Sequence, residues 1–314
     1  MKKLFSILSA AAVAGMLAIG AAAADFGKTT VVGDSIATGF GLSGYVSGDN
    51  YSAAESFGAK ISADSAEYVN LAVDGRTTDE LLAALRGEWA GSEDISACDS
   101  VVISIGGNDF LRPMFAAIQT ELISDTELLA QLTSEDFDPA TLDQAALMER
   151  FSEAVIAAVG EVDTAQTAAN LDGIVGEIKA ANPDCEIYIL TVYNPFEGIE
   201  GMDEFSAMTE EKLAELNGAI RALDGVTVID AYSAFKGHAA DYTNILSGDI
   251  HPNSAGHAVI YSLLCAAAEG TAVPVSAPVG TEKGSPDTGA EGIAAALGTA
   301  ALAGALLLVS RRKR

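Results

Sequence analysis

Five short runs of β-branched and apolar residues, at 29–32, 68–72, 101–105, 187–192 and 226–229, recur along the chain with helix-patterned stretches between them. None of these runs carries a charged residue. Short uncharged runs are what strands covered on both faces require, and strands that alternate with crossover helices pair in parallel. The pattern therefore predicts an α/β fold, a doubly wound, flavodoxin-like sandwich around a five-stranded parallel sheet. Helices are expected near 51–63, 77–87, 144–181, 206–223 and 254–268. Residues 106–186 are far more than one crossover needs, so a helical insertion is expected between strands three and four. It would either form a lid over one edge of the sheet or widen the helical layer. Inside it, Asp138-Pro139 reads as an N-cap followed by proline at the first helical position. The nearby acids Glu135, Asp136, Asp138 and Asp143 lack the spacing and central glycine of a calcium loop, and read as caps and a solvated face.

Both ends read as processing signals. Lys2 and Lys3, an apolar run to Gly20 and the small residues Ala22-Ala23-Ala24 follow the order of a secretory signal peptide, which places the cleavage after Ala24. The folded domain is then expected over 25–269, and 270–284, rich in Pro, Ser, Thr, Gly and Val, as an extended linker of at most about 50 Å. Residues 292–309 carry no charge and precede Arg311-Arg312-Lys313-Arg314, as in a stop-transfer span with its positive side in the cytoplasm. Before the span, Ser285-Pro286-Asp287-Thr288-Gly289 resembles the Pro-x-Thr-Gly sorting signal of Gram-positive surface proteins, with Ser285 where leucine is usual. That resemblance implies cleavage between Thr288 and Gly289 by a sortase and attachment of Thr288 to cell-wall peptidoglycan. A plain single-span membrane anchor is the alternative.

The chain holds 17 basic and 44 acidic residues, for a formal charge of −27. Six of the basic residues and only one acid, Glu291, lie outside 25–288, so the part between is more acidic still. Such a surface repels nucleic acid and anionic lipid, because it offers no basic patch to exchange for counterions. Cys98, Cys185 and Cys265 are too few for a disulfide framework or a zinc site, and no metal is expected. Cys98 and Cys185 precede neighbouring strands and could bridge, although buried free thiols are the simpler reading.

Ligands of parallel sheets bind at the carboxyl ends of the strands. Strand one runs into Gly33-Asp34-Ser35-Ile36, strand two into Asp74-Gly75 and strand three into Gly106-Gly107-Asn108-Asp109, while Gly248-Asp249-Ile250-His251-Pro252-Asn253 follows strand five. Together they offer a hydroxyl, an imidazole to take its proton and donors for a developing oxyanion, which are the needs of ester hydrolysis through an acyl-enzyme. The ordered set resembles the SGNH/GDSL hydrolase family, also described as GDSL-like lipases and acylhydrolases, across Gly33 to His257. The resemblance implies Ser35 as nucleophile and His251 as general base. The backbone N–H groups of Ser35 and Gly75 and the side-chain amide of Asn108 then become the oxyanion donors, and no cofactor is required.

The family usually carries an Asp three residues before the His, where this chain has Gly248; Asp249 stands two before. Either the loop lets Asp249 reach the imidazole, or a backbone carbonyl orients the ring in a Ser-His dyad. In the dyad, Asp249→Asn costs far less than His251→Ala; in the triad the losses are equal. Asp34 and Asp109 read as loop-fixing groups, and His257 as a packing or surface residue. Gly39-Phe40-Gly41-Leu42-Ser43-Gly44 matches a dinucleotide-binding pattern literally, but it starts several residues after the strand and lacks the acidic residue about 20 positions on. Phe40, Tyr45, Phe110, Phe115, Tyr193 and Phe196 lie near strand ends and could line an acyl pocket, which favours a lipid or small-molecule ester as substrate. A polysaccharide O-deacetylase and a non-catalytic adhesin or glycan-binding module on the same fold are the rival readings.

Overall fold

A computed structural model describes residues 24–87, 89, 91–132, 144–199 and 203–271. Five strands, β1 (Lys28–Gly33), β2 (Glu67–Asn70), β3 (Ser100–Ser104), β4 (Glu186–Leu190) and β5 (Thr227–Ile229), form one sheet in the order β2-β1-β3-β4-β5. All four pairings are parallel, with Val31 opposite Asn70 and Val102, Val102 opposite Tyr188, and Leu190 opposite Ile229. This is the doubly wound, flavodoxin-like order expected, and the point where it reverses lies beside β1.

Along each strand alternate side chains enter opposite layers, because the strand repeat is two residues. Val32, Val101, Ile103, Ile187 and Ile189 pack on one face, and Val31, Val102, Tyr188, Leu190 and Ile229 on the other. The first face is covered by α3 (Thr78–Arg86), α4 (Ser92–Ala97), α8 (Thr164–Ala181) and α9 (Asp203–Arg221), through Leu81, Ile95, Ile174 and Leu216 among others. The second is covered by α2 (Phe57–Ala63), α10 (Ala231–Phe235) and α12 (Ser254–Ala268), through Phe57, Phe235, Ile260 and Leu264. Each fully buried Ile, Leu or Phe contributes about 1.5–3 kcal/mol, so the two layers together dominate the fold's stability.

Three differences from the expected elements have local causes. The helix anticipated over 51–63 starts only at Phe57, because the Ser56 side chain caps it by accepting from the Ala59 N–H. The stretch 144–181 is two helices, α7 (Gln144–Gly160) and α8, separated where Asp163 caps the second by accepting from the Gln166 N–H. Within the helical insertion, α5 (Gly107–Ser124), whose bounds were not anticipated, starts inside the Gly-Gly-Asn-Asp block and contains Pro113. The short helices α1 (Ser35–Thr38), α6 (Thr126–Leu132) and α11 (Ala239–Tyr242) and a 3-10 turn at Ile245–Ser247 complete the described elements.

In its described part the insertion is helical, as expected. α8 widens the helical layer by packing on α3, while α5 and α7 pack on each other beside the carboxyl edge of the sheet. Cys98, Cys185 and Cys265 are buried free thiols. Among the described residues no helix is long and apolar enough to cross a membrane. Residues 1–23 of the expected leader, Asp138-Pro139 and its neighbouring acids, residues 272–284 of the expected linker, Thr288, Gly289 and the expected span 292–309 lie outside the described residues.

Candidate active site

Ser35 owes its position to two local features of the β1 end. Gly33 has φ +154°, and a Cβ there would lie 2.1 Å from the Ser104 carbonyl oxygen, so only glycine lets β1 run this close to β3. The next peptide N–H, of Asp34, donates to that same oxygen at 3.0 Å. The Asp34 carboxylate then caps α1 by accepting from the Ile36 N–H, and Ser35 becomes the first residue of the helix, nearly buried.

His251 reaches Ser35 from the opposite end of the chain. Its loop is fixed by Tyr193, whose hydroxyl donates to the Ile250 carbonyl at 2.8 Å, and by the Asn244 N–H, which donates to the His251 carbonyl at 2.9 Å. Just beyond, the Asn253 side chain caps α12 by accepting from the N–H groups of Ala255 and Gly256. In this setting His251 Nε2 stands 2.8 Å from Ser35 Oγ, and Nδ1 stands 2.5 Å from Asp249 Oδ1. The same Asp249 oxygen also accepts from the His251 backbone N–H at 3.0 Å.

Gly248, at φ +81°, turns the chain out of the 3-10 helix and lets a carboxylate only two residues away fold back onto the ring. The group that meets Nδ1 is thus Asp249 and not a backbone carbonyl. Burial opposes ionisation of Asp249, but its contacts with His251 outweigh that and hold the carboxyl below its usual range. An ionised carboxylate only accepts, so Nδ1 carries the proton and Nε2 is left to accept from the Ser35 hydroxyl.

Asn108 is the second residue of α5, and its amide donates to the Arg76 carbonyl at 3.1 Å and more distantly to Asp34 Oδ2 at 3.4 Å. Gly75 has φ +73°, and among the described residues no acceptor takes its backbone N–H or that of Ser35. Asp34 and Asp109 do fix loops. Burial raises the Asp34 carboxyl to about 7, against the opposing effects of the Ile36 N–H and the His251 charge. Asp109, also raised by burial, accepts from the Thr78 hydroxyl at 2.6 Å and so ties α5 to the start of α3.

Ser35 and His251 open onto a cleft of about 610 Å³ continuous with solvent. Its wall is largely apolar: Phe110, Leu111 and Met114 from α5, Val159 from α7, Leu213 from α9, and Val192, Pro195 and Phe196 from the segment after β4. Asn108 lines it as well; Gly75 does not. Of the six aromatic residues expected at a pocket, Phe110, Tyr193 and Phe196 line this one. Phe40 instead lies against the His251 ring at 4.5 Å, the Tyr45 hydroxyl donates to Asp74, and Phe115 is exposed.

Residues 31–259 match the GDSL-like lipase/acylhydrolase family. The chain belongs to that family. No curated protein matches it. Among solved structures it is similar to an extracellular lipase from Streptomyces rimosus, with 22% identity, a TM-score of 0.52, and coverage of 76% of this chain and 98% of that one. A phospholipase A1 from Streptomyces albidoflavus is similar at 23% identity and a TM-score of 0.50, covering 77% of this chain and 98% of that one. A lipase from a goat rumen metagenome gives 23% identity and a TM-score of 0.50, over 76% and 96% of the two chains. At such identities the likeness is one of fold.

Two other features of this GDSL-like chain bear on its site. The dinucleotide-like run is a turn cluster, with Gly39, Gly41 and Gly44 all at positive φ. A Cβ on Gly41 would lie 2.6 Å from Asp249 Oδ2 and 3.3 Å from the His251 Cβ, so this glycine is what gives the carboxylate room. His257 is a packing residue, fully buried, with Nδ1 accepting from the Phe57 N–H at 3.2 Å. Among the described residues no group of three His, Cys, Asp or Glu side chains is arranged to hold a metal ion. Sequence reasoning missed Gly41 and Arg112, whose guanidinium donates to the Gly75 carbonyl and to the Glu80 carboxylate. The second had a usable signal, because a helix drawn through the Gly-Gly-Asn-Asp block puts 112 one turn after 108.

Proposed function

We propose that this chain hydrolyses carboxylic esters through an acyl-enzyme on Ser35. His251 takes the Ser35 proton as the hydroxyl attacks the acyl carbon, and returns it to the leaving alcohol; water then repeats the cycle and releases the acid. Asp249 holds the ring in the tautomer that can accept and balances the imidazolium that forms. The N–H groups of Ser35 and Gly75 and the Asn108 amide are assigned to the oxyanion; for Asn108 this requires the amide to exchange its bond to the Arg76 carbonyl for the substrate oxygen. The observation that carries the reading is the unbroken run of contacts from Asp249 through His251 to the hydroxyl at the mouth of an apolar cleft.

The apolar wall favours an acyl chain longer than acetyl as the group held in the cleft. Export by the leader and retention on a Gram-positive surface through sortase transfer of Thr288 to peptidoglycan are part of the same proposal, supported by the order of motif, apolar stretch and basic tail. A membrane anchor would serve the same end.

A fluorophosphonate probe tests the chemistry: the folded wild-type chain becomes labelled and Ser35→Ala does not. No labelling of the wild type would favour a binding module instead. A panel of acetyl-sugar, short-chain and long-chain esters then separates a deacetylase from an acyl esterase.

A further inference from the structure

Arg112 lies one turn beyond Asn108 on α5, and its guanidinium makes four hydrogen bonds. Nε and Nη2 donate to the Gly75 carbonyl at 3.1 and 2.7 Å, while Nη1 and Nη2 donate to the two Glu80 carboxylate oxygens at 2.7 and 2.8 Å. Glu80 is itself fixed, because its carboxylate closes the capping box of α3 by accepting from the Thr77 N–H. The residue before Gly75 is held from the other side, through its side chain. Asp74 accepts from the Thr38 hydroxyl at 2.6 Å and from the Tyr45 hydroxyl. The N–H of Gly75 thus sits between two anchored points, in a residue whose missing Cβ would otherwise leave its φ and ψ loosely restrained.

We infer that Arg112 is a positioning residue for the oxyanion site: its fork on the Gly75 carbonyl, braced by Glu80, sets the direction of the Gly75 N–H. The inference rests on the acyl-enzyme reading, since only that reading gives this N–H an anion to meet. A donor aimed at developing charge works by being held there before reaction, so a loosened peptide weakens the transition state more than the bound ester. A second consequence follows from helix geometry. Asn108 and Arg112, four residues apart on one face of α5, grip the carbonyls of Arg76 and Gly75, so one rigid helix sets two of the three assigned donors.

Arg112→Met and Arg112→Lys test this in the full chain, with active sites counted by fluorophosphonate titration. Arg112→Met is expected to lower kcat about tenfold, less than the loss of a whole donor, with KM unchanged. Affinity for an alkyl boronic acid, whose adduct on Ser35 places an oxygen in the oxyanion site, is expected to fall by the same factor. Arg112→Lys keeps the charge and one donor but not the fork, and should lie between Arg112→Met and wild type; it carries the comparison should Arg112→Met fail to fold. Unchanged kcat and boronate affinity, or a rise in KM alone, would overturn the inference while leaving the serine mechanism intact. A wild-type chain that binds no boronate sinks both.

Discussion

At the scale of single residues, the least expected placement is that of Asp249. The family spacing puts the acid one position earlier, and the substitution of Gly248 there raised a dyad as an equal possibility. The glycine itself supplies the answer, since its left-handed turn lets a carboxylate two residues away fold onto Nδ1 at 2.5 Å. That contact removes the physical basis for a small effect of Asp249. An asparagine cannot hold the proton on Nδ1 in the same way, so steady-state kinetics of Asp249→Asn should show kcat reduced by about 10³–10⁴ with KM little changed. A loss far below that of His251→Ala would return the mechanism to a dyad. Gly41 belongs to the same account. Its run matches a dinucleotide-binding pattern only in letters, and its role is to make space for the carboxylate.

At the scale of elements, α12 does two jobs from one stretch of sequence. Its cap, Asn253, secures the loop that carries His251, and its second turn inserts His257 against the start of α2. His257 stacks on Phe57 and accepts the Phe57 N–H, which leaves its proton on Nε2, a buried donor with no partner among the described residues. Burial, with the charges of His251 and Lys60, depresses its pKa from 6.5 to about 3. The folded state therefore keeps this ring neutral while the unfolded chain protonates it. Its contribution is complete above the unfolded value and is lost as pH falls toward the folded one. Between 6.5 and about 3 that loss amounts to about 1.4 kcal/mol per pH unit. Asp34, raised to about 7, contributes an opposite slope in both proteins, so the test is a difference: urea unfolding at several pH values in this range should show the stability of the wild type relative to His257→Asn, whose side-chain oxygen can still accept the Phe57 N–H, falling with that slope as pH drops. Parallel pH dependence in the two proteins would show that the ring does not stay neutral.

At the scale of the whole molecule, the cleft is an assembly that no segment contains. Its lining runs from Asp34 to His251 in the chain, and α5, α7 and α9 supply much of the apolar wall. The insertion between β3 and β4 thus contributes to the site without being a separate lid. Met114, on the wall and incompletely buried, can be enlarged with less disturbance than the core leucines. Met114→Trp is expected to lower kcat/KM for long-chain esters about tenfold or more while leaving acetyl esters within a few-fold, the range that pocket contacts of this size allow. Equal losses on both would place the acyl chain elsewhere.

The layer order, the parallel sheet and the four strand-end blocks were legible in the sequence alone. Strand runs such as Val101-Val102-Ile103 and the residues that follow them are local patterns, and local patterns are what a chain displays before it folds. The bounds of the helix through Asn108 were not legible, because Gly107 and Pro113 have poor helical propensity and only packing against α7 and the sheet edge offsets that. Nor could spacing decide whether Asp249 reaches His251, that Gly41 must be bare, or that Arg112 grips Gly75. Those are distances between residues remote in the chain or in a turn of unknown shape, and they exist only once the sheet has brought its carboxyl ends together.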